Sequence, residues 1–349
     1  MGKESGQCGT SCCGSGELLS TAPAGTRTRQ GDTVPVVQAG LTFSDRLGGW
    51  KVRLGIGRGR YRIDPGLYAI GAPDRGSPVL VTANYKLSFD SLRKELSDID
   101  AWILVLDTRG INVWCAAGKG TFGTAELVSS IESSGLRDRV THRTLILPQL
   151  GAPGVAGYEV KRLTGFQTVY GPVRASDIKR FLAAGMKATP EMRLVQFRLK
   201  DRLAVVSTDM AEAAKYILPY LILAAAWHLV RGGSWLQVLS PTSVMLIGAV
   251  LTGTLFAAAL LPWIPFRSFA LKGWTLGLIW ALSAGALYRL ELSAFAGALL
   301  LFPAVSAFLA LNLTGSSTFT SQTGVNKEIR WFARPIAASA ILGILFLVF

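Results

Sequence analysis

Histidine and cysteine are scarce in this chain: two histidines and four cysteines among 349 residues. The cysteines are Cys8, Cys12, Cys13 and Cys115. Three crowd into a Gly/Ser-rich stretch and the fourth stands alone, which excludes a disulfide framework and fits a reducing compartment. No Cys-x₂-Cys-x₂-Cys run occurs, so the chain brings no iron–sulfur cluster ligands of its own. Acidic residues are also few, 22 Asp/Glu against 36 Lys/Arg, for a net charge of +14. The first 40 residues lack an apolar core of the secretory-signal kind. Rich in Gly, Ser, Thr and Gln, residues 1–40 read as a flexible tail.

Two nucleotide-binding patterns are absent despite first impressions. Gly55-Ile56-Gly57-Arg58-Gly59 is followed by Tyr61-Arg62-Ile63-Asp64-Pro65 and not by a helix, so the dinucleotide fingerprint lacks its context and a β-hairpin is expected. Gly118-Lys119-Gly120-Thr121 resembles the end of a phosphate loop, but the Gly that a Walker motif needs ahead of it is replaced by Val113. The basic charge forms no stripe interleaved with aromatics, which argues against nucleic acid. Attraction to anionic lipid accounts for it better, making membrane lipids the expected partner.

What the chain has in abundance is apolar sequence, and it is unevenly placed. Half of the residues are hydrophobic and the mean hydropathy is +0.37. Only eight of the 36 Lys/Arg and three of the 22 Asp/Glu follow position 211. Five apolar stretches, 213–230, 243–263, 273–289, 292–311 and 332–349, approach the length needed to cross a bilayer. Arg267 and Lys272, with Lys327, Arg330 and Arg334, put the second and fourth loops on the cytoplasmic side. A cytoplasmic front domain and an external C-terminus follow. Trp235, Trp263, Trp274 and Trp331 stand near segment ends, as interfacial anchors do. His228, Arg289 and Glu291 also lie near ends, so this half reads as an anchor and docking platform more than a transporter.

The front part is an α/β domain. Strands are expected at Pro78–Val81, Trp102–Leu106, Thr144–Leu147 and Gln167–Tyr170. Helices are expected at Ser88–Leu96, Gly123–Glu132, Val155–Leu163 and Ala175–Ala184, with Ser88 as an N-cap and Gly135 and Gly185 as stops. This alternation predicts βαβ units on a parallel sheet. Domain limits fall at 1–40, 41–205 and 206–349. Ligands on such sheets bind at the carboxyl ends of the strands, which read TANY (82–85), DTRGINVWCAAGKG (107–120), PQLGAPG (148–154) and YGPV (170–173). They nominate Asn84, Tyr85, Asn112, Val113, Trp114, Thr121, Phe122, Gly151, Gly154, Tyr170 and Gly171 as ligand-binding residues. In the second loop Cys115 sits where ligands go. Ala116, Ala117 and Gly118 are small enough for a planar ligand to approach the backbone, and Lys119 favours a thiolate. A lone cysteine is otherwise a small buried hydrophobe.

WKVRLGIGRGRYRIDPGLYAIG (50–71), SPVLVTANYKLSFDSLR (77–93), DAWILVLDTRGINVWCAAGKGTFGT (100–124) and YGPVRASDIKRFL (170–182) together resemble the corrinoid protein of the bacterial and archaeal mercury-methylation pair. NVWCAAGKG is that family's signature, and five transmembrane helices follow its corrinoid domain. The stretch is also similar to the large subunit of the corrinoid iron–sulfur protein of acetyl-CoA synthesis, which lacks the cysteine. The resemblance implies a Rossmann-like corrinoid-binding domain followed by an all-α transmembrane domain of five helices. It implies a cobalamin-type cofactor, base-off, with the Cys115 thiolate as lower ligand of cobalt. Neither His142 nor His228 stands in the Asp-x-His-x-x-Gly motif that supplies histidine in other corrinoid domains. The implied reaction takes a methyl group from a methyltetrahydrofolate-derived donor and passes it from methyl-Co(III) to Hg(II), with electrons from a ferredoxin-like partner carrying [4Fe-4S] clusters. The alternative is a membrane-anchored methyl carrier of one-carbon metabolism. Cys12 and Cys13, with Cys8, match no motif of the family and are candidates for Hg(II) capture, since soft thiolates select soft metals.

Overall fold

The computed structural model describes residues 34–317, 319–320 and 322–348. Cys8, Cys12 and Cys13 lie outside the described residues. By its internal contacts the chain divides into two units, one running to Gly48 and over Gly59–Leu194, the other comprising Gly49–Arg58 and Val195–Phe349.

The first unit is a three-layer α/β/α arrangement. In chain order it contains β1 (Val36–Val37), α1 (Phe43–Arg53, whose last turns belong to the second unit), β2 (Gly66–Ile70), β3 (Val79–Ala83), α2 (Lys86–Arg93), β4 (Ala101–Leu106), α3 (Val113–Lys119), α4 (Thr124–Ser133), α5 (Leu136–Arg139), β5 (Thr144–Leu147), α6 (Gly157–Thr164), β6 (Gln167–Tyr170) and α7 (Ile178–Ala183). The sheet runs β1-β2-β4-β3-β5-β6. β3, β4, β5 and β6 are mutually parallel. Every residue of β3 and β4 is buried, as expected of central strands covered on both faces. Alternate residues point to opposite layers. Val79, Val81, Leu104, Leu106, Leu145 and Leu147 pack with Phe122, Leu127, Ile131 and Val160 of the α3–α4–α6 layer. Leu80, Ile103, Val105 and Ile146 pack with Phe89, Ile178 and Phe181 of the α2–α7 layer.

Three local expectations are corrected. The sheet is mixed, because β2, absent from the sequence reading, pairs antiparallel with β4 from Gly66↔Val105 to Ile70↔Ala101. Residues 55–63 form turns and a 3₁₀ turn at Arg58–Arg60, with only a single bridge, Arg62↔Tyr85, and no hairpin. Gly55 at φ 79° and Gly57 at φ 67° break any strand there. α2 begins at Lys86 with Tyr85 flanking it, so Ser88 lies inside the first turn and caps nothing. Gly135 (φ 61°) and Gly185 (φ 65°) do stand in the left-handed region just past α4 and α7.

The second unit contains α8 (Leu199–Val230), α9 (Pro241–Leu251) continued by a π-turn into α10 (Ala257–Ala259), α11 (Phe269–Tyr288), α12 (Leu292–Asn312) and α13 (Gln322–Val348). Five helices here are long and apolar enough to cross a membrane, α9 and α10 counting as one. α11 packs on α12 through small residues. A Cβ on Gly277 would come within 2.8 Å of Pro303 Cα, and one on Gly273 within 3.0 Å of Ala307 Cα. Close backbone approach of this kind is how apolar helices associate without a hydrophobic driving force. Ser306 Oγ donates to the Ala249 carbonyl (2.7 Å) and lies 2.8 Å from Thr252 Oγ1 at the π-turn. Trp263 and Trp331 are exposed at 70% and 66% beside their segment ends.

Candidate functional site

The order β4-β3-β5-β6 contains the reversal of a doubly wound sheet. The chain goes from β3 outward to β4, then returns past β3 to β5. Such reversals open a crevice at the carboxyl ends of the two strands that part there. A cavity of about 430 Å³ lies at that point. Its walls include Val81 and Thr82 of β3, Leu147 and Pro148 at the end of β5, Gly171–Val173 after β6, and Leu87, Ser88 and Ser91 of α2. Asn112 and the first two residues of α3, Val113 and Trp114, close it on the β4 side of the chain. Its volume and mostly apolar lining are those of a small-molecule site.

The loop that carries Cys115 is not irregular throughout, as the sequence reading had it. Cys115 is the third residue of α3. Asn112 starts the helix, its Oδ1 accepting the Cys115 N–H at 2.9 Å, and Gly120 at φ 80° ends it. An Asn cap and a left-handed Gly are ordinary helix signals, and both were present in the sequence. The helical period turns Val113, Ala116 and Ala117 into the core and leaves Trp114, Cys115, Gly118 and Lys119 exposed. A Cβ on Gly118 or Gly120 would meet nothing within 4 Å.

Other nominated residues serve to hold this surface. Asn84, 2% exposed, accepts at Oδ1 from Thr108 N (3.1 Å), Thr108 Oγ1 (2.9 Å) and Gly110 N (2.9 Å), and donates from Nδ2 to Asp107 Oδ1 at 2.9 Å. It therefore fixes the turn in which Arg109 and Gly110 both have positive φ. Tyr85 is buried at the start of α2. Phe122 is fully buried. Gly151 lets it in, since a Cβ there would lie 2.5 Å from Phe122 Cε1. Gly154 lies close to the Phe122 carbonyl oxygen and Ala117 Cα. Thr121 donates backbone N–H to the Ala116 carbonyl at 3.0 Å. Tyr170 donates from its hydroxyl to the Val155 carbonyl at 2.8 Å, and burial raises its phenol pKa. Gly171 lines the cavity. Ser88, Ser91, Pro172 and Val173 also line it and are not among the ligand-binding residues nominated from the sequence. Their one signal was adjacency to strand ends.

Comparison with known proteins falls on this unit. Residues 58–182 match the family described as CO dehydrogenase/acetyl-CoA synthase delta subunit. The acetyl-CoA decarbonylase/synthase complex subunit gamma of Methanopyrus kandleri is 37% identical over 122 residues, covering 34% of this chain and 26% of the relative. The corrinoid/iron-sulfur protein large subunit of Moorella thermoacetica is 32% identical over 127 residues, 36% of this chain and 28% of the relative. The chain thus matches about a quarter of the length of these relatives. The matched segment contains the cavity and all four strand-end loops.

Gly118 and Gly120 leave open space beside an exposed thiol, and Gln149 Oε1, just after β5, is a buried acceptor with no partner among the described residues. No group of three or more His, Cys, Asp or Glu that would hold a bare metal ion occurs among the described residues.

Proposed function

We propose that this chain is a membrane-anchored corrinoid protein, with a corrinoid-binding domain over 41–205 and a transmembrane domain over 206–349. The observation that carries the reading is the coincidence of three things: a cavity at the sheet reversal, an exposed Cys115 that follows the cavity-lining Trp114 in the chain, and a segment match to proteins whose names include a corrinoid/iron-sulfur subunit. A bound corrinoid supplies a cobalt centre that takes up and releases a methyl group. Cys115 would hold that centre through its sulfur. Trp114, Asn112 and Gly171 border the cavity, Gly118 and Gly120 leave room for the ring, and Gln149 offers an acceptor to a peripheral amide. With no cluster motif in the sequence, reducing electrons come from a ferredoxin-like partner carrying [4Fe-4S] clusters. The loop charges favour a cell-membrane protein with its front unit cytoplasmic and its C-terminus external.

For the methyl acceptor, the relatives' names favour one-carbon metabolism, with the chain as a methyl carrier supplied from methyltetrahydrofolate. A second reading, Hg(II) as acceptor, is favoured by Cys115 in NVWCAAGKG. Bound to the cobalt, the Cys115 sulfur would donate charge strongly, as cysteine ligands do in haem enzymes, and would favour methyl delivery to an electrophile. The test is the full chain loaded with methylcobalamin in detergent. A base-off spectrum altered by Cys115→Ala and restored toward six-coordination by Cys115→His is expected. A chain that binds no corrinoid overturns the proposal. Methylmercury formation that Cys115→Ala abolishes supports the Hg(II) reading; transfer only to a one-carbon acceptor refutes it.

A further inference from the structure

α1 has two opposed faces. Its inner face holds Asp45, Gly49 and Val52, the last two buried. Its outer face carries Phe43, Leu47 and Trp50, and Leu54, one residue past its end and bonded back to the Trp50 carbonyl, continues them at spacings of four, three and four residues, one stripe on a helix. These side chains are 79%, 46%, 70% and 43% exposed, and Ile56 just beyond is 60% exposed. Cations flank the stripe, with Arg46 and Arg53 along one edge and Lys51 along the other, and Arg58, Arg60 and Arg62 follow. Over 43–62 there are six Lys/Arg and one carboxylate, Asp45. That carboxylate is already paired with Lys86 at 2.5 Å and Arg93 at 2.7 Å. The charge left free is all positive.

The second observation fixes where this helix ends. Residues 49–58 cluster with the apolar helices, and the Arg53 carbonyl accepts a hydrogen bond from Thr208 Oγ1 of α8 at 2.9 Å. Thr208 stands five residues before position 213, where the apolar run of α8 begins, so the tie point is roughly 7 Å along the axis from that run. An interfacial helix buries its apolar face about 5–10 Å into the boundary between headgroups and acyl chains. The attachment height and the burial depth agree.

We propose that the end of α1 that belongs to the second unit, with the turn after it, is interfacial: Trp50, Leu54 and Ile56 dock into an anionic phospholipid surface, with Lys51, Arg53 and Arg58 contacting the headgroups. The proposal rests on the five apolar helices being membrane-embedded. In the full chain, Trp50→Cys is labelled with an environment-sensitive fluorophore, with Cys8, Cys12, Cys13 and Cys115 changed to Ser. It is then placed in lipid discs of phosphatidylcholine alone or mixed with phosphatidylglycerol. Size-exclusion co-elution with the discs tests the embedding separately, and a chain that fails to incorporate overturns both. In mixed discs the label is expected to shift to the blue, to lose emission with doxyl-labelled lipid and to resist iodide. Charge reversal by Lys51→Glu, Arg53→Glu and Arg58→Glu is expected to abolish that response. A label at position 50 that stays open to iodide and untouched by doxyl lipid overturns the proposal. Shielding that arises only on adding a soluble protein assigns the stripe to that protein and likewise overturns it.

Discussion

Asn84→Ala tests whether the cysteine helix is held from beneath by a single side chain. The Asn84 amide oxygen accepts two backbone N–H groups, from Thr108 and Gly110, and both donors are buried. Thr108 Oγ1 retains the Ile111 carbonyl as an acceptor at 2.6 Å, so its hydroxyl is not stranded. The loss is thus two buried donors without partners, at about 1–3 kcal/mol each. Taking about 3 kcal/mol for the pair, the melting transition of the first unit should fall by roughly 6–12 °C, at about 2–4 °C per kcal/mol for a domain of this size. Differential scanning fluorimetry of the full chain in detergent measures it. Asn84→Asp keeps the acceptor but places a second carboxylate beside Asp107, so it should lose stability as well, and less of it at acid pH. Corrinoid binding should weaken in step, because the 107–112 turn leads directly into Asn112 and Cys115. A shift below about 2 °C for Asn84→Ala, with corrinoid binding unchanged, would refute the assignment of Asn84 to this turn.

Gly118→Leu should fold at least as well as the native chain, since nothing lies within 4 Å of the added Cβ and removing Gly from a helix stabilises it by up to about 1 kcal/mol; its corrinoid spectrum should nevertheless disappear, and an unchanged spectrum would show that the ring does not use this space. The Asp45–Lys86–Asp90–Arg93 group should give the first unit an acid-sensitive limb. Burial pushes the Asp45 carboxyl up, but hydrogen bonds from Lys86, Thr42 and Arg93 outweigh it and hold it well below the usual carboxylate range. Its contribution is therefore complete above about pH 4 and lost as pH falls further. Asp45→Asn should cost about 3 kcal/mol at neutral pH and flatten the acid limb of a melting-temperature profile, and an unchanged limb would count against the network.

The elements most readable in the sequence were those whose residues share one environment. β3 and β4 are buried from end to end, so their apolar runs announce them. The five apolar helices follow equally from composition, although α8 starts at Leu199 and α13 at Gln322, well before their apolar runs. Those polar and charged leading turns carry no hydropathy signal. β2 escaped because a five-residue strand that opens on Gly66, straight after Pro65, is recognisable only by its partner β4, which lies more than 30 residues on. The strand-end loops were readable as a place, since the reversal rule points to them. The roles of their residues were not. Asn84 and Phe122 look like ligand contacts in one dimension, whereas one turns back to the 107–110 turn and the other sinks under Gly151.

That division of labour explains why so small a helix can present an exposed thiol. α3 has seven residues, too few to be stable alone. Three attachments compensate: the Asn112 cap at its start, the Asn84-bound turn before it, and Ala116 and Ala117 packed in the core shared with Phe122. All three act on the inner side or the ends of the helix. Its outer side therefore keeps Trp114, Cys115 and Gly118 exposed, and Trp114 lines a cavity made by other strands. A thiol on a flexible loop would lose its position each time the loop moved, and a site has to be held within about half an ångström to act reproducibly. Here the residues that fix Cys115 and the residues left open around it are different sets. Perturbing the first set should shift stability and binding together, and perturbing the second should shift binding alone.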